Sequence, residues 1–346
     1  MFHYYQKSFR SLFSIAFLFV SSFAMAQPTD DVAAMHETAN NFLKKGDYEN
    51  AILVLNKALQ TKPDDLQITK DLLFAYYIKR DFVKAIEVGK PLVERDGADV
   101  QSFQMLGMTY KAIAEEKEAD KLYKKGIKKF PTEGILYSEY GDLLSESQPE
   151  TAIKLWEKGV EMDPNNANDY YFLAKKYAEK GNDLGSILHA ETFLNMESFT
   201  TRSTEIKNLL LEQYKKFFVS AENTRNNFLK KGDAFSASIA ETLIKQQSQL
   251  GYGITPESLA LIRTRFVLDW YNTYNDRFPF RLFEHQRQLL SEGLFEAYNY
   301  WLFGPAANLK GYQTWQQYHQ DQLNDFLGFI RSKVYKIPEG QHFRPS

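Results

Sequence analysis

The sequence predicts an all-α protein in which stacked helix–turn–helix units form a solenoid and a further helical region follows. The first observation is a regular spacing of alanines at intervals of 34, 34 and 33 residues: Ala51, Ala85, Ala119 and Ala152. The second is that glycine and proline recur in the same register, at Gly107, Gly141, Pro63, Pro131 and Pro164. A repeat of about 34 residues with small residues at fixed positions indicates helical hairpins that stack on their neighbours.

The stretch Val100–Pro131 shows one such unit most clearly. Large residues lie where two antiparallel helices must interlock, small ones lie where their backbones must meet, and a proline closes the second helix. In order these are Phe103, Leu106, Gly107, Tyr110, Ala119, Tyr123, Gly126 and Pro131. By these residues the stretch resembles a tetratricopeptide repeat, with Phe103 in place of the usual tryptophan. The resemblance covers residues 32–198 and implies a right-handed α-solenoid of about five repeats.

Beyond residue 198 the pattern weakens. Residues 199–250 are predicted to contain an amphipathic helix, Thr204–Val219, and then a degenerate hairpin that extends to Leu250. The hairpin is suggested by Asn227–Asp233, which repeats Asn41–Asp47 letter for letter and places Ala237 at the small position of a second helix.

Residues 251–337 are predicted to form an aromatic-rich helical region of three helices. The first starts at Pro256, capped by Thr255, and runs to about Tyr274. The second spans about 282–303 and is stopped by Gly304-Pro305, and the third spans about 314–335. Some of the aromatic rings are expected to cap the last repeat or to form a docking surface. The tail, residues 338–346, is expected to fray.

Residues 1–26 have the pattern of a signal peptide. Lys7 and Arg10 form a basic start, Leu12–Val20 is almost wholly apolar, and Ala24-Met25-Ala26 offers a cleavage site before Gln27. We therefore expect an exported protein, periplasmic in a Gram-negative bacterium or secreted, with no integral membrane segment after cleavage. The alternative is a membrane anchor that stays uncleaved.

Composition excludes several classes of function. The 42 basic and 44 acidic residues nearly balance, which argues against a nucleic-acid partner. The chain has no cysteine, so it can form no disulfide, thiol nucleophile or Cys-based zinc site. Phosphate-binding glycine loops and nucleophile elbows are also missing from the sequence. We predict no cofactor and no metal.

In tetratricopeptide-repeat proteins the first helix of each repeat lines a concave surface, so the resemblance implies a partner-binding groove on these helices. Its predicted lining is Asn40, Lys70, Phe74, Tyr77, Gln104, Met108, Lys111, Tyr171 and Lys175. The aromatic rings can pack against apolar side chains of a ligand, the amides can hydrogen-bond to its backbone, and the lysines can pair with its acidic groups. This combination suits an extended peptide or a helix of a protein partner. The alternative for the three aromatic residues is that they only pack against neighbouring repeats.

Two hypotheses of function follow. The first is a non-enzymatic scaffold or adaptor in the bacterial cell envelope, where it associates with an envelope complex. The second is an envelope enzyme that acts on cell-wall or glycan material through residues 251–337, with the repeats recruiting it. Its candidate groups are His285 with Glu292 and Glu296, and His319 with Asp321 and Asp325; neither group follows a known metal or catalytic motif.

Overall fold

The computed structural model describes residues 28–251 and 253–343, so the predicted signal peptide lies outside the described residues. Across these residues the regular secondary structure consists of seventeen α-helices and one short 3-10 helix, without strands. The predicted all-α class and solenoid are confirmed.

Ten helices form five successive hairpins. They are Pro28–Lys44 (α1) with Tyr48–Thr61 (α2), Leu66–Ile78 (α3) with Phe82–Glu94 (α4), Val100–Ala112 (α5) with Glu116–Lys129 (α6), Gly134–Leu144 (α7) with Pro149–Met162 (α8), and Ala167–Glu179 (α9) with Asp183–Met196 (α10). The remaining elements are Thr201–Lys231 (α11), Ala234–Ile244 (α12), the 3-10 helix Gln247–Leu250, Pro256–Thr273 (α13), Arg281–Ser291 (α14), Phe295–Ala307 (α15), Leu309–Tyr318 (α16) and Gln320–Ser332 (α17).

The first helices of the repeats form the inner row of the solenoid. From the second repeat onward, α3 contacts α5, α5 contacts α7, α7 contacts α9 and α9 contacts α11, whereas the second helices of neighbouring repeats hardly touch among the residues described. A stack whose first helices lie closer together than its second helices must curve toward the first helices. The concave face therefore belongs to α1, α3, α5, α7 and α9.

The small residues of the repeat lie at the contacts between paired helices. Ala51, Ala85, Ala119 and Ala152 are fully buried. A Cβ atom added at Gly107 would collide with the Tyr123 ring, and one at Gly141 would lie 2.5 Å from Nε1 of Trp156. In each pair an aromatic ring of the second helix occupies the space that the glycine of the first helix leaves.

The segment after the fifth repeat consists of two helical stretches that meet at a kink. Both lie within α11, and the kink is at Ser220, where φ is −120° and ψ is 16°, next to the expected boundary at Val219. A left-handed Gly232 ends α11, and the Asp233 side chain accepts a hydrogen bond from the Ser236 N–H at the start of α12. Ala237 is buried at the place that the repeated heptapeptide predicts.

Three expectations for residues 251–337 are wrong. The predicted helix 282–303 is two helices, because Gly293 adopts a left-handed φ of 72° between α14 and α15. Pro305 lies inside α15 instead of stopping it, and Gly304 admits the Tyr312 ring of α16, with which an added Cβ would collide. The predicted helix 314–335 is likewise divided at His319 into α16 and α17.

The tail does not fray over its described part. Ile337, His342 and Phe343 are buried, so the chain up to residue 343 packs against the rest of the molecule. The described part of the tail therefore contributes apolar surface to the core, whereas a solvated terminus would not.

The C-terminal region is joined to the solenoid through α10. Nearly every side chain of α10 is buried, because α9, α11 and α14 surround it. Its Glu191 forms a fully buried ion pair with Arg263 of α13, and the same Glu191 oxygen accepts hydrogen bonds from Gln286 (2.8 Å) and Tyr298 (2.9 Å). Most of the aromatic rings of the region are buried in one hydrophobic core with residues of the third, fourth and fifth repeats, so they cap the end of the repeats.

The glycine–ring contact gives a direct test of the packing. We expect Gly141→Ala to lower stability by up to about 2 kcal/mol, because overpacking against Trp156 costs about 1–3 kcal/mol while alanine returns about 1 kcal/mol of helix propensity. The matched control is Gly328→Ala on α17, which has open space around it and should stabilise by up to about 1 kcal/mol. Chemical denaturation measures both variants, and equal gains in stability would contradict the packing.

Candidate functional site: the concave face of the repeats

Polar contacts between neighbouring repeats run along the first helices. His36 Nε2 lies 2.5 Å from Asp71 Oδ2, which links α1 to α3. The Lys70 ammonium is buried and donates to Asp99 Oδ2 at 2.7 Å and to Gln101 Oε1 at 3.0 Å at the start of α5. Lys70 is therefore already bound to the next repeat.

Lys111 makes the same kind of connection one repeat further. Its Nζ lies 2.5 Å from Glu139 Oε2 and 2.7 Å from Asp142 Oδ2, both on α7. Burial by itself would lower the pKa of Lys111, but the two carboxylates outweigh it and the pKa is raised. Gln104 Nε2 also donates to Glu139, at 3.3 Å.

The predicted residues of the fifth repeat form a closed cluster with α11. Tyr171 donates to Glu205 Oε2 at 2.8 Å, and Lys175 Nζ lies 2.7 Å from the other oxygen of Glu205. The Arg202 guanidinium lies over the Tyr171 ring, 4.9 Å from its centroid. Both predicted side chains thus hold α9 to α11.

Two exposed apolar side chains on α3 form the open part of the concave face. Phe74 and Ile78, one helical turn apart, are 41% and 37% exposed. Tyr77 is half-buried and its ring packs on Phe82, with 6.0 Å between centroids. We call Phe74 and Ile78 the apolar step.

The other two predicted lining residues take intermediate positions. Asn40 Nδ2 lies 3.3 Å from His36 Nε2, and Met108 is half-buried on α5.

The chemical character of the concave face therefore differs from the prediction. The predicted lysines pair with carboxylates that follow them in the chain, and the exposed part of the face is the apolar step. These carboxylates, Asp99, Glu139 and Glu205, were not predicted from the sequence, although each lies somewhat less than one repeat length after its lysine.

The candidate groups of the enzyme hypothesis are held by other contacts. His285 is buried against the rings of Tyr298, Phe329 and Tyr335, and burial lowers its pKa to about 3. Glu292 pairs with Lys333 at the surface, and the His319 ring stacks on Trp315 at 4.8 Å. Within residues 28–251 and 253–343 there is no cluster of three or more His, Asp or Glu side chains suited to a metal ion. None of the helices described there has the length and apolar character needed to cross a membrane.

The family assignment rests on the first repeat. A family model described as "Tetratricopeptide repeat" matches residues 33–65, which cover most of α1 and all of α2. The chain contains a tetratricopeptide repeat. The resemblance to this family is thereby confirmed; the match itself covers residues 33–65, and the hairpins that follow have the same helix–turn–helix architecture. No curated protein shows significant sequence similarity to the chain.

Several solved structures share this repeat architecture over about half of the chain. A crystal structure of MamA is 22% identical, with 46% of this chain and 94% of that chain covered and a TM-score of 0.41. TTC0263 of Thermus thermophilus, a thermophilic tetratricopeptide-repeat protein, is 16% identical over 52% of this chain and 99% of its own, with a TM-score of 0.44. YrrB, titled a tetratricopeptide-repeat protein with an unusual peptide-binding site, is 16% identical over 52% and 97%, with a TM-score of 0.39.

The contacts of Lys111 predict a structural role for this side chain. We expect Lys111→Met to destabilise the fold by about 1–3 kcal/mol, because it leaves two neighbouring, partly buried carboxylates without their cation. Lys121→Met is the control, since that lysine is exposed and pairs with Glu118 only across one turn of α6. Thermal unfolding should show a lower midpoint for the first variant alone, and an unchanged midpoint would rule out the bridging role.

Proposed function

We propose that the protein is a non-enzymatic interaction scaffold that binds a segment of a partner protein on the concave face of its first three repeats. The apolar step is the observation that carries this proposal. Two large apolar side chains one turn apart are exposed on a helix whose other inward residues are engaged in contacts between repeats. A stack of repeats offers such a face along its length, which suits an extended peptide or an amphipathic helix.

The charges of the face favour an apolar anchor over a strongly acidic ligand. Lys70 and Lys111 already donate to carboxylates, so an acidic peptide could recruit them only by breaking these contacts. Gln104 is only partly buried and can also reach backbone groups of a ligand. The proposed ligand therefore places an apolar side chain on Phe74 and Ile78 and lies along the neighbouring polar side chains.

We further propose that the scaffold works outside the cytoplasm, in association with an envelope complex. The support for this is the sequence of residues 1–26, which combines a basic start, an apolar run and a small-residue cleavage site. The near-balance of charge agrees with a protein partner and offers no electrostatic attraction for nucleic acid.

The binding face is tested by affinity capture from an envelope fraction with the full-length protein. We expect the wild type to recover a defined partner that Phe74→Ser/Ile78→Ser loses, because the variant removes the apolar anchor. Val83→Ser is the matched control, since Val83 is equally apolar and 70% exposed but lies on α4, a second helix. Mass spectrometry identifies the captured proteins, and the same set of proteins with both variants would refute the proposed face.

Export is tested separately on the protein recovered from cells. The expected mature chain begins at Gln27, because the peptidase cleaves after Ala26. Intact-mass measurement and N-terminal sequencing report the first residue, and a cytoplasmic chain that begins at Met1 would contradict the proposal.

A further inference from the structure

The segment after α17 is held as an extended peptide rather than as a helix or a turn. Residues 333–338 have no regular secondary structure, and burial alternates along them. Tyr335 and Ile337 are buried, while Lys336 and Val334 are exposed. This alternation is the pattern of an extended strand lying in a groove, with every second side chain inserted.

The backbone of this segment is bound by side chains from distant parts of the chain. Asn165, in the turn between α8 and α9, accepts from the Ile337 N–H at 2.9 Å and donates to the Ile337 carbonyl at 3.1 Å. Arg281, at the start of α14, donates through Nε to the Lys336 carbonyl at 2.9 Å. An amide side chain that hydrogen-bonds to both the N–H and the carbonyl of one residue binds the peptide backbone whatever its side chains are.

The buried side chains supply the specificity. The Tyr335 ring packs on His285 at 5.0 Å and lies under the Arg281 guanidinium at 5.1 Å. Further along, the Phe343 ring meets His189 of α10 at 5.2 Å and Phe235 of α12 at 6.0 Å. We call the surface formed by Asn165, Arg281, His285, His189 and Phe235 the tail slot.

The tail is connected to α17 by a short exposed linker. Helix α17 ends at Ser332, and Val334 is 80% exposed. None of the slot contacts named above comes from α17, and the linker itself is held only at the surface, where Lys333 pairs with Glu292, so release of the tail requires a change confined to residues 332–334. A tail from another molecule would make the same contacts in the same slot, because its sequence is identical.

We propose that the tail slot is a peptide-binding site separate from the concave face, and that its ligand in trans is the tail of a second copy of this chain. Within one molecule the short linker gives the tail a high effective concentration, of the order of millimolar, so the slot is filled in cis. Exchange between two copies keeps every slot contact and alters only the linker. The balance between the two forms then depends on protein concentration and on release of the tail.

The test uses the full-length chain with its own tail disabled by Tyr335→Ala/Ile337→Ala and a fluorescent peptide of residues 332–343. We expect fluorescence anisotropy to show binding to this variant and binding at least about tenfold weaker to the wild type, whose slot is occupied. Adding Asn165→Ala should weaken binding about tenfold, since two backbone hydrogen bonds are lost. Should the double substitution disturb folding, as judged by circular dichroism, Ile337→Ala alone replaces it.

The peptide itself carries the matched controls. Lys336→Ala changes an exposed side chain and should leave the affinity unchanged, whereas Ile337→Ala should abolish measurable binding. The proposal is overturned when the folded, tail-disabled chain does not bind the peptide, or when a scrambled peptide of the same composition binds equally well.

A second measurement uses two complementary full-length chains. The tail-disabled variant offers a slot that its own tail fills weakly, and Asn165→Ala offers an intact tail that its own slot holds weakly. Analytical ultracentrifugation of the mixture should show a heterodimer that neither chain forms alone to the same extent. Two monomer populations in the mixture would contradict exchange between copies.

Discussion

The close contact between the two helices of a hairpin is the constraint on which the architecture depends, and in the third and fourth repeats a glycine of the first helix meets an aromatic ring of the second. At Gly107 and Gly141 no Cβ fits, since Tyr123 and Trp156 occupy that space. These contacts set how closely the paired helices approach, and the repeat of about 34 residues carries the same geometry from hairpin to hairpin. The inner row of first helices is built from hairpins packed in this way.

The sequence was sufficient where structure is determined by short-range periodicity. The buried alanines and the hairpins follow from the repeat, and the start of α13 follows from Thr255 and Pro256. The C-terminal helices were predicted too long, because their apolar periodicity continues across breaks made by Gly293 and His319. The buried tail has no local signal at all, since Asn165 binds it from 172 residues away in the chain.

For the candidate site, the repeat register predicted the helix face but not the state of its side chains. A lysine on a first helix looks available in the sequence, whereas Lys111 is neutralised by Glu139 and Asp142 of the next repeat. Such pairing depends on how the repeats stack, because a rotation of one helix would separate the charges. The open Phe74 could be distinguished from the half-buried Tyr77 only once α4 was in place, since Phe82 covers the latter.

The central claim is that the concave row of first helices is the surface that meets a partner. Hydrogen–deuterium exchange of the full-length chain, with and without the partner recovered by capture, tests it most directly. The account predicts slower exchange in α1, α3 and α5 on binding and unchanged exchange in α2, α4 and α6. Protection confined to the second helices or to residues 256–332 would contradict it.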